Sequence, residues 1–268
     1  MSVSSGPPVV LSVGGTDSGG GAGLAADLRA CAVLGVFATS AVTVVTAQNT
    51  VEFGPAVPVP ADVVAAQMSA VLHDLGPLGV KTGMLWSPGT AATVAAVLDE
   101  YPGTVRVVDP VLVDGTGRRI MAIELDDVYR TRLIPGARFV TPNRREAELL
   151  TGLDVVDVAG AAAAGRRLID LGAEAVVVTS VPGSAPGLIA DVIVGEAGEQ
   201  IMEGPEITTG HTRGSGDTFS AALLCQLVGG SAGEAVGRAR EFTRAALRRG
   251  EHAPLGRGRG PVVARCGD

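Results

Sequence analysis

The sequence is poor in aromatic residues and in lysine. Phe, Trp and Tyr make up 3% of the 268 residues, and Lys81 is the only lysine. The core must therefore be aliphatic. Hydrophobic residues, mostly Ala and Val, form 46% of the chain, which is typical of a buried parallel sheet flanked by helices. No hydrophobic stretch reaches the roughly 18 residues that a membrane span requires, so we expect no membrane association.

The chain also lacks a long basic run. Its formal net charge is −7, which argues against a nucleic-acid partner. The Arg-Gly-Arg-Gly stretch at 257–260 is short and stands in an acidic chain. We therefore interpret this stretch as a terminal loop.

Neither a metal-ligand spacing nor a signal peptide is evident. Cys31, Cys225 and Cys266 are widely separated in the sequence, which indicates reduced thiols in the cytosol. Residues 1–8 lack a charged start and an adequate apolar stretch, so we predict a flexible leader. We expect a cytoplasmic protein.

Apolar strand patterns alternate with helical patterns almost throughout the chain. The alternation runs from a strand predicted over residues 9–13 to helices predicted over residues 216–228 and 232–248. It predicts an α/β fold with a mostly parallel sheet covered on both faces. Ligands of such sheets bind outside the carboxyl ends of the strands, so the residues that follow the predicted strands are candidate site residues.

The strongest local motif is Gly214-Ser215-Gly216-Asp217-Thr218, which leads into an apolar helix. Unpaired backbone N–H groups and the helix dipole favour an anion at such a helix start. Asp217 stands where a carboxylate can take a proton from a substrate hydroxyl. The sequence leaves a plainer alternative open, in which Asp217 or Ser215 only caps the helix.

A second motif is Thr141-Pro142-Asn143 followed by Glu146. Asn143 and Glu146 have the spacing of a capping box. They also follow a predicted strand, where they can hold Mg²⁺ through water near nucleotide phosphates, because Mg²⁺ prefers oxygen ligands and retains waters. Both interpretations can hold together.

A third motif is the glycine-rich stretch at residues 14–23. It lacks the Gly-Lys-Ser/Thr ending of a Walker loop, and no acidic residue follows at the spacing of a dinucleotide site. We therefore assign neither site and predict a loop that closes over a substrate. Asp17 either contacts that substrate or caps the following helix.

Together these motifs resemble the bacterial hydroxymethylpyrimidine/phosphomethylpyrimidine kinases of thiamin biosynthesis, in the ribokinase superfamily. The likeness covers nearly the whole chain. It implies a ribokinase-like three-layer α/β/α fold with a mostly parallel central sheet, a single kinase domain over residues 1–268 and a homodimer. Further matching segments are Ala26-Asp27-Leu28, Val45-Thr46-Ala47-Gln48-Asn49-Thr50, Lys81-Thr82-Gly83-Met84-Leu85, Val108-Asp109-Pro110-Val111 and the glycine-rich tail at 255–261.

The resemblance also implies roles for single residues. Gln48 would read the amino-pyrimidine ring, since an amide both donates and accepts hydrogen bonds. Ordinary strand-end polarity is the alternative for Gln48, and core packing is the alternative for Met84. The implied roles are an anion hole at Gly214, Ser215 and Gly216 beside the base Asp217; substrate contacts at Gly15, Asp17, Gln48, Met84 and Val111; nucleotide or phosphate contacts at Asn143, Thr179, Thr218 and Arg213; and Mg²⁺, largely through water, at Asp109 and Glu146.

The sequence departs from the family pattern at three places. Many of these pyrimidine kinases carry Cys where this chain has Asp217, whereas Asp is usual in sugar kinases and common in pyridoxal kinases. Residues 179–182 are Thr-Ser-Val-Pro where the family has Lys-Gly-Gly-His, and residues 114–117 are Asp-Gly-Thr-Gly where it has a sequence of the Ala-Lys-Ser-Gly type. Two expected lysines are therefore absent, and Arg213 and Lys81 are candidates to replace their charge. A structural role at a strand end is the alternative for Lys81.

The resemblance implies ATP-dependent phosphorylation of 4-amino-5-hydroxymethyl-2-methylpyrimidine and then of its monophosphate, with Mg²⁺ as cofactor. The first alternative is a pyridoxal kinase or a dual pyridoxal and pyrimidine kinase. Asp217 and Thr179-Ser180 favour it, whereas Gln48 and the Lys81–Leu85 segment oppose it. A catalytically silent binding protein on the same fold is the second alternative, which rests only on the missing lysines.

Overall fold

The structure is a computed structural model that describes residues 6–230, 232–252 and 255–265. Most of the predicted leader, residues 1–5, lies outside the described residues, as does Cys266. In the described part of the chain, no helix combines the length and the apolarity needed to cross a membrane.

Strands and helices alternate as the sequence predicts. The strands are β1 Val9–Gly15, β2 Phe37–Gln48, β3 Phe53–Pro58, β4 Gly79–Thr82, β5 Val105–Val108, β6 Phe139–Val140, β7 Ala175–Pro182, β8 Leu188–Gly195 and β9 Gly198–Pro205. The helices are α1 Gly23–Val33, α2 Ala61–Asp74, α3 Pro88–Asp99, α4 Leu125–Val128, α5 Arg144–Thr151, α6 Val158–Asp170, α7 Ser215–Val228 and α8 Ala235–His252. A π-helical turn, Tyr129–Leu133, continues α4, and a short 3₁₀ turn, Ala232–Glu234, precedes α8.

Among the described residues, nine strands form one sheet in the order β3-β2-β1-β4-β5-β6-β7-β8-β9. The six strands from β2 to β7 in this order are parallel to one another. The two ends of the sheet are antiparallel, with β3 beside β2 and the β8–β9 hairpin beside β7. The predicted α/β class with a mostly parallel sheet is confirmed.

The sheet separates two layers of helices, because successive residues of a strand point to opposite faces. Leu11 and Val13 of β1 belong to one buried cluster with residues of α2, α3, α5 and α6. Val10 belongs to the other cluster, with residues of α1, α7 and α8. This arrangement is the predicted three-layer α/β/α architecture, and it brings the starts of α1 and α7 to the same edge of the sheet.

Helices α1 and α7 pack against each other in the second layer. Their contact brings the Sγ atoms of Cys31 and Cys225 to 3.4 Å, although 194 positions separate the two residues in the sequence. Both cysteines are free and buried. The side-by-side packing of these two helices matters for the site, because α7 begins at the predicted phosphate turn.

Candidate active site

Most of the predicted site residues lie along one edge of the sheet. Gly15 and Gln48 end β1 and β2, Met84 follows β4, and Asp109 follows β5. Asn143 follows β6, its backbone pairs with Thr179 of β7, and the turn at Gly214 leads into α7. Because the carboxyl ends of parallel strands meet at one edge, distant segments of the chain converge there.

Lys81 lies at the centre of a buried group of carboxylates. Its Nζ atom is 2.9 Å from Asp27 Oδ1, 3.1 Å from Asp217 Oδ1 and 3.6 Å from Asp109 Oδ2. All four residues of β4 are buried, so the ammonium group cannot reach solvent. We call Lys81, Asp27, Asp109 and Asp217 the lysine cluster.

The lysine cluster has perturbed protonation equilibria. Burial raises the pKa of Asp27 to about 7 against the attraction of Lys81, and burial raises the pKa of Asp109 to about 6. Burial lowers the pKa of Lys81, but the charges of Asp27, Asp217 and Asp109 outweigh it, so the net shift is upward. Lys81 is therefore a permanent cation that offsets part of the buried negative charge.

Asp217 is held through both of its carboxylate oxygens. Oδ1 accepts from Lys81, and Oδ2 accepts the backbone N–H of Gly23 at 2.9 Å. Gly23 is the first residue of α1, whose N-cap, Ala22, forms no side-chain cap bond. Helix α7 itself begins at Gly214 without a side-chain cap bond. The alternative in which Asp217 or Ser215 caps its own helix is therefore wrong, and Asp217 instead joins α7 to the start of α1.

The turn before α7 requires glycine at position 214. Gly214 has φ 74°, a left-handed conformation that other residues rarely adopt. A Cβ atom there would also lie 2.1 Å from the carbonyl oxygen of Gly21. The turn thus packs directly on the glycine-rich loop. The N–H groups of Gly216 and Asp217 belong to the first turn of α7, where backbone donors have no intrahelical partner. Thr218 differs, because it is buried and its N–H donates to Gly214 O at 2.9 Å.

Asp17, Gln48 and Arg213 form a second polar group, which we call the amide group. Arg213 Nε donates to Asp17 Oδ2 at 2.9 Å, and Arg213 Nη2 donates to Gln48 Oε1. Asp17 also accepts the N–H groups of Gly19 and Gly21 at 2.8 and 3.0 Å. Asp17 therefore shapes the glycine-rich loop, and the alternative in which it caps α1 is wrong. The guanidinium group of Arg213, predicted to contact phosphate, is engaged with these two side chains.

Of the predicted substrate contacts with little polarity, Gly15 lies nearest the amide group, because it precedes Thr16, whose carbonyl oxygen contacts the Gln48 amide. A Cβ atom on Gly15 would be 2.8 Å from Val44 Cγ1 and 3.4 Å from Met84 Sδ, so Gly15 and Met84 are neighbours. The hydroxyl of Thr43 donates to Met84 O at 2.6 Å and fixes the backbone there. Val111 is half-buried just after Asp109 and donates its N–H to Asp109 O at 3.0 Å.

The predicted nucleotide side contains the capping box that the sequence indicates. Asn143 Oδ1 accepts the N–H of Glu146, and Glu146 Oε2 accepts the N–H of Asn143, both at 3.0 Å. Glu146 Oε1 also accepts the N–H of Leu112 at 3.2 Å. Burial, together with the negative charge of Asp109, raises the pKa of Glu146 to about 8. Thr179 is close by, since its N–H donates to Pro142 O at 2.9 Å.

Ser180, next to Thr179, has a strained backbone. Its φ is 61°, in a region that costs a residue with a side chain about 1–2 kcal/mol. The N–H of Ser180 donates to Asp191 Oδ1 at 3.1 Å, and Arg240 Nε donates to Asp191 Oδ2 at 2.8 Å. The Asp191 carboxylate thus supports a backbone bend at the point where the family pattern has glycine.

Within the described residues, no group of three or more His, Cys, Asp or Glu side chains is arranged to hold a metal ion. Asp109 and Glu146 nevertheless fit a hard cation that keeps much of its water. Both are buried carboxylates, and the charge of Asp109 contributes to the raised pKa of Glu146. Oxygen ligands with unbalanced negative charge suit Mg²⁺.

Sequence reasoning missed Asp27 as a site residue. Its carboxylate contacts Lys81 and accepts a hydrogen bond from the buried hydroxyl of Ser12. The signal was available, because Asp27 lies three residues after Leu24 and four before Cys31 on the buried face of α1. A carboxylate on an apolar helix face needs a buried partner, and the sole lysine lies in a strand whose residues are all buried.

Comparison with known proteins identifies the relatives of this chain. Residues 17–263 match the sequence profile of the family described as phosphomethylpyrimidine kinase. The hydroxymethylpyrimidine/phosphomethylpyrimidine kinase of Mycobacterium leprae is 40% identical over 262 residues, covering 96% of this chain and 93% of that protein.

Two further relatives bear on function. The thiamine biosynthesis bifunctional protein ThiED of Geobacter sulfurreducens is 41% identical over 94% of this chain, which spans 51% of that longer protein. The crystal structure of an ADP complex of Bacillus subtilis pyridoxal kinase superimposes with a TM-score of 0.88 at 31% identity, covering 97% of this chain and 98% of that one.

Proposed function

Because the chain belongs to the phosphomethylpyrimidine kinase family, we propose that it phosphorylates 4-amino-5-hydroxymethyl-2-methylpyrimidine and then the monophosphate, with ATP as donor. One observation carries this proposal. Arg213 reaches Gln48 with its side chain, while the next residue begins the glycine turn that leads to Asp217. The amide that would read the ring and the turn that would bind the phosphoryl group therefore lie next to each other.

Asp217 is the proposed general base. Its carboxylate takes the proton of the substrate hydroxyl as that oxygen bonds to the γ-phosphorus, and the bond from phosphorus to ADP breaks with its electron pair leaving on ADP. Such a base contributes about 10²–10⁴-fold to the rate. Lys81 and the Gly23 N–H keep the carboxylate oriented.

The start of α7 is the proposed phosphoryl site. Gly214, Ser215 and Gly216 form the proposed anion hole, in which the Gly216 N–H and the positive end of the helix dipole face the transferring group. The N–H of Ser215 donates to Thr212 O at 3.3 Å in the structure. Asn143, Thr179 and Thr218 are the proposed contacts of the nucleotide. Phosphoryl transfer depends mainly on positioning and on neutralised charge, which suits residues fixed by the backbone.

Asp109 and Glu146 are the proposed holders of Mg²⁺, largely through water. When bound, the ion offsets the negative charge of the nucleotide phosphates. Because without the ion the charge of the nucleotide phosphates would lack this compensation, we expect EDTA to abolish turnover and added Mg²⁺ to restore it.

Gln48, Asp17, Gly15, Met84 and Val111 form the proposed ring site. Gln48 supplies the polar edge, and Met84 beside Gly15 supplies an apolar surface. Two observations favour the pyridoxal kinase alternative: the fold likeness to a pyridoxal kinase and the carboxylate at position 217.

A substrate panel tests the function. Purified protein with ATP and Mg²⁺ is given the hydroxymethylpyrimidine, its monophosphate, pyridoxal or a sugar, and the products are analysed by mass spectrometry. The proposal expects one added phosphate on each of the first two compounds and a lower kcat/KM for pyridoxal. Preferred phosphorylation of pyridoxal would support the alternative, and binding without turnover of any compound would support a silent binding protein.

The homodimer that the family resemblance implies and the cytoplasmic location that the cysteines and the predicted leader indicate are part of the same proposal. Static light scattering tests the first, with about twice the 26.9 kDa chain mass expected. Cell fractionation tests the second.

A further inference from the structure

Arg213 is anchored at both of its ends. Its backbone N–H donates to Gly260 O at 3.1 Å, and its backbone oxygen accepts the N–H of Val262 at 3.0 Å. These bonds fix the main chain just before the glycine turn. The side chain then reaches Asp17 and Gln48, so the position of the guanidinium group is determined by several independent contacts.

The charge of Arg213 is already balanced. The Asp17 carboxylate that it contacts has no exposed side-chain surface, whereas the Arg213 side chain is 21% exposed. The stem of Arg213 also packs on the glycine-rich loop, since a Cβ atom on Gly21 would lie 3.0 Å from Arg213 Cδ. This geometry favours a fixed structural link to Asp17 and Gln48 over a free cation that waits for a phosphate.

The link determines how the Gln48 amide is oriented. A guanidinium group has only donors, so the oxygen end of the amide must face Arg213. The nitrogen end then points the other way, where Nε2 lies 3.3 Å from Thr16 O. Without Arg213, only the 3.3 Å contact from Nε2 to Thr16 O would hold the amide in this orientation.

Amide orientation distinguishes the two candidate substrates. The proposed pyrimidine carries an amino group beside its hydroxymethyl group, and an amino group donates. Pyridoxal carries an aldehyde at the corresponding place, and an aldehyde oxygen only accepts. A fixed amide can match only one of these edges, whereas a rotating amide can match either.

We propose that Arg213 is a specificity-determining positioning residue, which acts through the Gln48 amide to favour an amino-pyrimidine over a pyridine aldehyde. This inference rests on the proposed function and deepens it. Arg213 would touch neither substrate; it would set which hydrogen-bonding end of Gln48 the ring meets.

A double-mutant cycle tests this role. The enzymes compared are wild type, Arg213→Met, Gln48→Ala and the double variant, with kcat and KM measured separately for the pyrimidine, pyridoxal and ATP. We expect Arg213→Met to lower kcat/KM for the pyrimidine about 10- to 100-fold, the range for one mispaired polar group. In the same variant, the ratio of pyrimidine to pyridoxal kcat/KM should fall, and the KM for ATP should change less than about twofold. The double variant should match Gln48→Ala, because the effects of coupled residues are not additive.

Arg29→Met is the matched control. Arg29 donates to Gly20 O at 2.8 Å, so it supports the same glycine-rich loop without touching Gln48. We expect this variant to leave the substrate ratio unchanged. If it lowers the ratio as Arg213→Met does, loop distortion explains the effect and the inference is wrong.

Other outcomes are equally decisive. Additive losses in the double variant, or a raised KM for ATP in Arg213→Met, would make Arg213 a phosphate contact and overturn the inference while leaving the proposed function intact. A wild-type enzyme that phosphorylates neither ring would refute the proposed function itself. If Arg213→Met does not fold, Arg213→Lys tests the same point, because one ammonium group lacks the fork that holds Asp17 and Gln48 together.

Discussion

Around Lys81, two buried carboxylates and the half-buried carboxylate of Asp217 share one ammonium group. Around Gln48, the polar groups are joined through an arginine that solvent partly reaches. The lysine cluster has pKa values shifted by burial, as for Asp27 and Asp109. The amide group contains one complete ion pair, between Arg213 and Asp17, and a neutral amide.

The lysine cluster and the amide group differ in charge and burial, and we expect them to act on a substrate in different ways. The lysine cluster is charged before any substrate binds, and it can act on a developing charge without rearrangement. In the proposed function, the neutral amide of Gln48 selects the ring by its pattern of hydrogen-bond donors and acceptors. We therefore expect changes in the lysine cluster to affect folding and kcat, and changes in the amide group to affect KM and substrate choice.

The largest expected effect on stability is that of Lys81→Met. Removing the only cation of the cluster leaves the buried carboxylates of Asp27 and Asp109, and the half-buried carboxylate of Asp217, without compensation. This should lower the free energy of unfolding by about 3–5 kcal/mol. Urea denaturation followed by circular dichroism measures the loss. The double variant Lys81→Met with Asp27→Asn should lose less, because it buries one charge fewer. A loss below about 1 kcal/mol in the single variant, typical of an exposed pair, would contradict the buried cluster.

The next effect concerns the pH dependence of Asp27. Its pKa is raised from 3.8 to about 7 in the folded protein, so folding takes up a proton between these values and stability due to Asp27 falls as pH rises. We expect the stability of the wild type relative to Asp27→Asn to decrease between about pH 4 and pH 7, by up to about 1.4 kcal/mol per unit, and then to level off. Urea denaturation at a series of pH values checks this. An increase over the same range would show that Lys81 outweighs burial at Asp27.

The smallest expected effect lies outside both groups, at the strained Ser180. Glycine adopts φ 61° without steric cost, so Ser180→Gly should stabilise the protein by about 1 kcal/mol. Ser180→Ala, which keeps a Cβ atom, should bring no gain. The melting temperatures of the two variants give the comparison. A gain of equal size in both would show that the serine hydroxyl, not the backbone, is unfavourable here.

Much of the fold was predictable because the apolar patterns are strong. The strand predicted over residues 9–13 is observed as β1, and the helices predicted over residues 216–228 and 232–248 are observed as α7 and α8, with ends that differ by a few residues. Strand β3 was missed, since it contains Pro55 and Pro58 and lies at the antiparallel edge of the sheet, where proline is tolerated. The π-helical turn after α4 was missed too, because its sequence continues a helical pattern.

The site was predictable where a motif marks a local turn, as at Gly214 and at Asn143 with Glu146. It was not predictable where contacts join segments far apart in the sequence. The Asp217 carboxylate bonds Gly23, and Lys81 bonds Asp27, and both contacts depend on how α1 packs against α7 and the sheet. The roles of individual residues in binding and catalysis stay predictions.

The most direct test of the contrast between the two groups is the steady-state kinetics of Asp217→Asn beside Gln48→Ala, with the pyrimidine and ATP as substrates. We expect Asp217→Asn to lower kcat about 10²–10⁴-fold with little change in the KM for the pyrimidine, and Gln48→Ala to raise that KM with kcat changed only a few-fold. Turnover by Asp217→Asn at nearly the wild-type rate would remove Asp217 from the role of base and contradict the account.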